Sequence, residues 1–206
     1  ETQKGSIKAD RVILACNGYL GTLEKRLTSK ILPMNNYIVA TEPLSDEMVR
    51  KINPRDIAFA DSRFVINYFR LSADKRLLFG GGENYSKELS NNIVPIVIKP
   101  LEKIYPFLKG VKIDYAWGGK LAITMNRLPF FTSLYNDKVI SAQGYSGQGV
   151  ALASYSGKIV SEKITGDGKT FDIMSRIPRQ SFPGGRFLRN PSMKIGMLYY
   201  SLLDRI

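Results

Sequence analysis

Apolar residues along this chain gather in short runs separated by glycine, proline and small polar clusters, and the runs predict strands in its middle and strand-turn-helix units at both ends. Ser6 to Asp10 alternates and leads into Arg11 to Cys16, an apolar run closed by Asn17-Gly18 that reads as a buried strand. A short helix is predicted over Tyr19 to Leu27, and a strand over Asn36 to Thr41, stopped by Glu42-Pro43. Ser45 offers an N-cap for a helix to Ile52, with Pro54 after its end. Ile57 to Ala60, Val65 to Leu71 and Leu77 to Gly80 read as strands of hairpins, with Ser72 to Lys75 as the turn between the last two. Gly80-Gly81-Gly82 is expected to end the third strand and to let the backbone approach a neighbour closely. A helix follows over Asn91 to Tyr105, ended by Tyr105-Pro106, and then a strand over Val111 to Leu121 interrupted at Trp117-Gly118-Gly119. Lys138 to Ala142 forms a strand that enters Gly144-Tyr145-Ser146-Gly147-Gln148-Gly149, and Val150 to Thr165 forms a helix closed by Gly166. A final amphipathic helix is predicted over Ser192 to Arg205. The order is that of an α+β domain, with a mixed or antiparallel sheet, inserted between parts of an α/β domain.

With 206 residues the chain can bury a substantial core, and its apolar and charged contents are those of a globular protein. Histidine is absent, which removes Ser-His-Asp and Cys-His catalysis, imidazole ligation and histidyl attachment of a flavin within this chain. Cys16 is alone, so neither an internal disulfide nor a CxxC metal pair can form, and no metal site is expected. A single unpaired thiol fits a reducing, cytoplasmic setting. The net charge is +12, of which Lys169 onward contributes +5, with seven basic residues against Asp172 and Asp204. These charges are dispersed among structured-looking segments, without an RNP pattern or helix-turn-helix, so a solvated basic surface is expected and no nucleic acid. No apolar run is long enough to span a bilayer, and neither a membrane span nor a signal peptide is expected from these residues. Glu1 is not an initiator methionine, so a truncated or cleaved product is expected.

The glycine turn is the candidate site. A strand passing through closely spaced glycines into an apolar helix presents unpaired backbone N–H groups at the positive end of the helix dipole. Gly147 and Gly149 carry no Cβ, so a planar or anionic ligand, such as a flavin carbonyl bearing charge, can lie against the backbone. The same glycines would also permit tight packing of helix on sheet. No GxGxxG occurs anywhere, so a dinucleotide's pyrophosphate must be held by residues outside these 206.

Five segments, in order, resemble the D-amino-acid oxidase superfamily of FAD-dependent oxidoreductases. Arg11 to Gly18 is similar to its "VVLATGA" strand, and Asn67-Tyr68-Phe69-Arg70 with Leu78-Phe79-Gly80-Gly81 to its "YYR…LFGG" hairpin. Trp117-Gly118-Gly119 with Thr124 to Pro129 resembles "WxG…TxDxLP", and Gly144 to Val150 resembles "GYSGHGV". Pro183 to Arg186 and Tyr199 to Arg205 are similar to the tail of its gamma-glutamylputrescine oxidoreductase branch. The resemblance implies FAD as cofactor and oxidation of a C–N bond, with electrons passing to flavin and then oxygen, on a gamma-glutamyl-polyamine-like amine substrate. Other members it allows are a glycine or sarcosine oxidase or an amino-acid dehydrogenase. From a different class, a cofactor-free basic interaction module stays open.

On this resemblance residues 1–30 end an FAD-binding domain, 31–122 form the substrate domain, 123–168 return to the FAD domain, and 169–206 make a basic tail. The superfamily's amino-terminal Rossmann half is not in the sequence and is an expected partner, so this chain alone is expected to be inactive. Cys16, Asn17 and Gly18 match the strand end near the cofactor, while Ser146, Gly147, Gln148, Gly149 and Val150 match the turn beneath the flavin pyrimidine. Gln148 stands where many relatives have histidine, and Ala151 where sarcosine oxidases place a carboxylate-binding lysine, which favours an amine over an alpha-amino acid. No catalytic side chain is assigned, because the flavin carries the chemistry. On the substrate side, Tyr68 and Arg70 share one face of a hairpin, and Arg70 is either a carboxylate grip or an ordinary surface arginine. Trp117 reads as core or cavity wall, Tyr37 and Tyr145 as candidate pocket linings, and Phe130-Phe131 as core. Homo-oligomerisation is allowed and not specified.

Overall fold

The computed structural model describes residues 1–63, 66–84 and 88–185, with Leu188, Pro191, Ile195 and Gly196, and eight strands and five α-helices lie whole within those described residues. The strands are β1 (Val12–Leu14), β2 (Leu32–Thr41), β3 (Phe59–Ala60), β4 (Tyr68–Leu71), β5 (Leu77–Asn84), β6 (Ile113–Ile123), β7 (Phe130–Leu134) and β8 (Val139–Gln143). The helices are α1 (Lys25–Thr28), α2 (Asp46–Ile52), α3 (Val94–Ile104), α4 (Gly149–Thr165) and α5 (Lys169–Ser175). The fold is α+β, and the chain divides into two units, one of Glu1–Pro33 with Leu121–Arg189 and one built on Met34–Lys120.

In the first unit β1, β8 and β7 form a sheet in that order. β1 runs parallel to β8, with Leu14 beside Ser141, and β7 runs antiparallel to β8, with Phe130 beside Gln143. Ile140 and Ala142 on β8 and Phe131 on β7 point to one face, where Ile159 and Val160 of α4 and Phe171 of α5 close a core. Leu14, Leu20, Leu27, Ile31, Ala122 and Phe130 fill a second. The run at Arg11 to Cys16, expected to be a buried strand, is a short edge strand. Leu14 is buried, but Val12 and Ile13 are 47% and 50% exposed, because β1 has a neighbour on one side only among the described residues. The helix expected over Tyr19 to Leu27 is reduced to a 3-10 turn at Asn17–Tyr19 and the four-residue α1, since Gly21 adopts φ 58 between them. β7 and α5 lie outside the expected elements, and the side chain of Phe171 anchors α5 by an edge contact with Phe131. The final helix expected over Ser192 to Arg205 lies outside the described residues apart from Ile195 and Gly196.

In the second unit the strand order is β3-β4-β5-β2-β6, antiparallel where β3, β4, β5 and β2 pair. One face buries Tyr37, Val39, Leu71, Leu77 and Phe79 against Val97 and Leu101 of α3. Phe69 stacks on Phe79 and on Phe59 with centroids 5.4 Å apart in both pairs. Ser45 caps α2 as expected, its hydroxyl accepting from Met48 N–H at 3.3 Å. Two expected breaks are absent. β5 runs on through Gly80 to Gly82, and β6 runs unbroken through Trp117 to Gly119. These glycines admit neighbours and do not end strands. A Cβ on Gly118 would lie 2.6 Å from the Tyr37 ring, and one on Gly82 would lie 2.4 Å from Ile96.

Candidate functional site

The turn after β8 sits at the carboxyl end of the parallel pair β1 and β8, where open α/β sheets hold their ligands. Gly144 takes φ 76, Ser146 φ 51 and Gly147 φ 98, so three of the five residues from Gly144 to Gln148 adopt positive φ before α4 begins at Gly149. Ser146, the only one of them with a side chain, is held from both sides: its N–H donates to Ala122 O at 2.9 Å, and its hydroxyl accepts from Thr124 N–H at 3.3 Å. Asn17, itself at φ 45, accepts the Gly144 N–H on its Oδ1 at 3.1 Å. The end of β1 is thereby tied to the start of the turn.

The three glycines differ in what surrounds them. A Cβ on Gly144 would meet Thr124 Cγ2 at 2.5 Å, so its lack of a side chain is required by the protein itself. Around Gly147 nothing lies within 4 Å of a Cβ, and Gly149 would make only ordinary contact with Tyr145. Among the described residues the N–H groups of Gly147, Gly149, Val150 and Ala151 have no acceptor, and they stand at the positive end of a seventeen-residue helix. Gln148 and Val150 are exposed beside them, Val150 at 97%. Unpaired donors beside an open, Cβ-free backbone fit the electron-rich pyrimidine edge of a flavin; they do not supply a pyrophosphate cradle.

Of the residues matched to the strand end, Asn17 joins the turn, Gly18 is buried, and Cys16 packs partly buried against the Leu14–Leu20–Phe130 core. Tyr145 is 9% exposed and its hydroxyl donates to Ala142 O at 2.9 Å. It forms a wall of an apolar groove of about 560 Å³ with Ile13, Ala15, Gly149 and Ala153.

Tyr68, Arg70 and Trp117 come together in the second unit. With Ile38, Leu78 and Gly80 they line a groove of about 210 Å³ on the sheet face opposite α3. Arg70 is exposed, its Nε donates to Leu71 O at 3.1 Å, and among the described residues it meets no carboxylate. Trp117 is 44% exposed and forms a wall. Tyr37, expected as a pocket lining, is fully buried on the α3 face, where its hydroxyl accepts from Ser90 N–H at 3.0 Å.

Sequence reasoning missed three residues at these sites. Thr124 abuts Gly144 and holds Ser146, and Asn36 bonds the Tyr68 hydroxyl. Gln143 is fully buried immediately before the turn, and among the described residues neither its Nε2 nor its Oε1 has a partner. A glutamine closing an apolar run at a glycine turn is a signal that reading for periodicity passes over.

A parallel strand pair whose ends carry this turn defines the class, a nucleotide-cofactor α/β unit accompanied by an α+β unit. The chain belongs to the DAO family of FAD-dependent oxidoreductases, whose description, "FAD dependent oxidoreductase", matches residues 1–163. It is 39% identical over 206 residues to gamma-glutamylputrescine oxidoreductase of Escherichia coli (strain K12), covering all of this chain and 48% of that protein. It is 40% identical over 205 residues to "Probable oxidoreductase OrdL" of Rhizobium meliloti (strain 1021), again covering all of this chain and 47% of the relative. The chain thus spans about half the length of the curated relatives it matches. Two solved structures share its fold. Fructosyl peptide oxidase from E. terrenum has a TM-score of 0.67 at 15% identity, over 93% of this chain and 49% of that one. L-proline dehydrogenase from P. horikoshii has a TM-score of 0.62 at 21% identity, over 94% and 50%.

Proposed function

We propose that the intact protein is an FAD-dependent amine oxidoreductase acting on a gamma-glutamyl-polyamine-like substrate, with this chain supplying the flavin-edge turn and the substrate groove. The observation that carries the reading is the set of unpaired N–H groups at Gly147, Gly149, Val150 and Ala151 beside a backbone with open space at Gly147. Whole-chain identity of 39% to gamma-glutamylputrescine oxidoreductase supports the choice of substrate. When bound, FAD supplies the two-electron oxidation of the C–N bond. The turn from Gly147 to Val150 would hold its pyrimidine edge, and the free N–H groups of Gly147, Gly149, Val150 and Ala151 with the α4 dipole would stabilise negative charge there. Asn17 keeps Gly144, and so the turn, in register with β1, while Cys16 packs against the core beside it and Gly18 is buried. Arg70 receives the substrate carboxylate as a charge-assisted pair, while Tyr68 and Trp117 bound its aliphatic part. Tyr145 shapes the first unit from within and does not offer its hydroxyl.

The polypeptide that relatives carry beyond the matched half would hold the pyrophosphate and cover the free edge of β1 and the groove at Ile13 and Ala153. Turnover therefore needs more than these 206 residues. Two experiments test the proposal. Profiling the full-length protein should show oxidation of a gamma-glutamyl amine in preference to sarcosine; turnover of sarcosine alone overturns the substrate. Titrating the 206-residue chain with FAD should give no peroxide on adding amine, and tight binding with peroxide production overturns the need for the other half.

A further inference from the structure

Tyr68 occupies its place in the groove because of two residues on other strands. It pairs with Gly80 across β4 and β5, and Ile38 of β2 pairs with the same Gly80 from the other side. A Cβ on Gly80 would lie 2.1 Å from Tyr68 Cζ, 2.2 Å from Cε2 and 2.6 Å from the hydroxyl oxygen. The phenol ring therefore occupies the space over Gly80 that a side chain there would fill. Its hydroxyl crosses β5 and donates to Oδ1 of Asn36, an 8% exposed residue of β2. An aromatic ring filling the space left by a strand glycine paves the sheet face. Here the paved stretch lines the same groove as Arg70 and Trp117.

We propose that Gly80 and Asn36 are specificity-determining, positioning residues of this groove: by holding the Tyr68 ring down on the sheet they leave room for an extended carboxylate ligand to run from Arg70 along Trp117. The idea rests on the proposed role of Arg70 in binding a carboxylate. Any side chain at position 80 must lift the ring, because the atoms it meets belong to a rigid aromatic and not to a flexible tip. A lifted ring enters the space a ligand would fill and leaves the buried Asn36 amide without the Tyr68 hydroxyl. A carboxylate short enough to engage Arg70 alone would be indifferent to the change.

Trp117 is the one tryptophan of the chain, so its fluorescence reports on this groove. In the 206-residue chain, titration with glutaramate, an extended carboxylate with an amide end, and with acetate as a short one gives two dissociation constants. Gly80→Ala is expected to weaken glutaramate at least tenfold and to change acetate less than twofold. Asn36→Leu, which spares the backbone, should weaken glutaramate about three- to tenfold with the same selectivity. Arg70→Met should abolish the response to both. Equal losses for the two ligands in Gly80→Ala and Asn36→Leu, or no loss in either, overturn the positioning role. Should Gly80→Ala fail to fold, Asn36→Leu and Tyr68→Phe decide the matter by the same ratio. Wild-type chain that binds neither carboxylate defeats the Arg70 reading. The positioning role is then read from Trp117 emission alone: a wavelength unchanged by both Gly80→Ala and Asn36→Leu overturns it, and a shift in both supports it.

Discussion

Gly144→Ala perturbs the flavin-edge turn where it is tightest. Alanine at φ 76 costs about 1–2 kcal/mol against glycine. Its Cβ would also stand 2.5 Å from Thr124 Cγ2, well inside contact distance, so Thr124 must shift. Thr124 is 6% exposed, its hydroxyl donates to Leu128 O at 2.8 Å, and its N–H bonds the Ser146 hydroxyl at 3.3 Å. Losing one of these bonds adds about 1 kcal/mol, which brings the expected loss to roughly 2–3 kcal/mol. For a chain of this size that lowers Tm by about 5–10 °C. Gly147→Ala serves as the internal comparison, since it has a positive φ of 98 but meets nothing within 4 Å. It should lose only the backbone part, about 1–2 kcal/mol. Thermal and urea denaturation of both variants beside wild type measure the difference. If Gly144→Ala is no less stable than Gly147→Ala, the steric argument at Thr124 is wrong.

Other expectations follow from single contacts. Ser45→Ala removes the α2 cap and should cost about 1 kcal/mol in urea denaturation, with Ser45→Asp restoring it. Gln143→Met removes two buried, unpartnered polar atoms at nearly constant volume and should stabilise the fold by about 1–3 kcal/mol; a lower Tm would show the amide to be paired. The side-chain and backbone bonds from Arg26, with one from the Tyr135 hydroxyl, hold the Glu24 carboxyl down from 4.5 to about 2. A depressed carboxylate stabilises the fold above its unfolded pKa, and that contribution is lost as pH falls. The stability difference between wild type and Glu24→Gln should therefore be constant above about pH 4.5 and close between there and about pH 2, and, because the Arg26 side of the pair is 50% exposed to solvent, stay under about 1 kcal/mol. A gap unchanged at pH 2 would contradict it.

The strand-turn-helix around Gly144 was legible because three independent signals coincide there: an apolar run, glycines needed for positive φ, and a long apolar helix closed by Gly166 at φ 112. The α2 cap and the Ser72 to Lys75 turn were legible for the same reason, since local side-chain chemistry fixes both. Glycines inside strands were not. Gly118 and Gly80 to Gly82 carry the same local signal as a break, and only the rings and side chains packed over them, from residues distant in sequence, show that they are contact points. β7 escaped notice because Phe130-Phe131 reads as core whatever its backbone does, and its strand character comes from pairing with β8. Val12 and Ile13 mislead in the opposite sense, since an apolar run says that burial is wanted and not what provides it. The grouping of Tyr68, Arg70 and Trp117 depends on strand order, which the hairpin pattern alone does not give.

Flavin affinity of the full-length protein carrying Gly147→Ala tests the central claim most directly. The new methyl group enters open space beside the unpaired N–H groups of α4, and its other effect is the backbone strain of alanine at φ 98. The account predicts that FAD, followed by its absorption spectrum and by release on denaturation, binds at least tenfold more weakly. The variant should lose only the modest stability expected for its backbone conformation. Unchanged FAD affinity in a folded variant would show that the flavin does not lie against this turn.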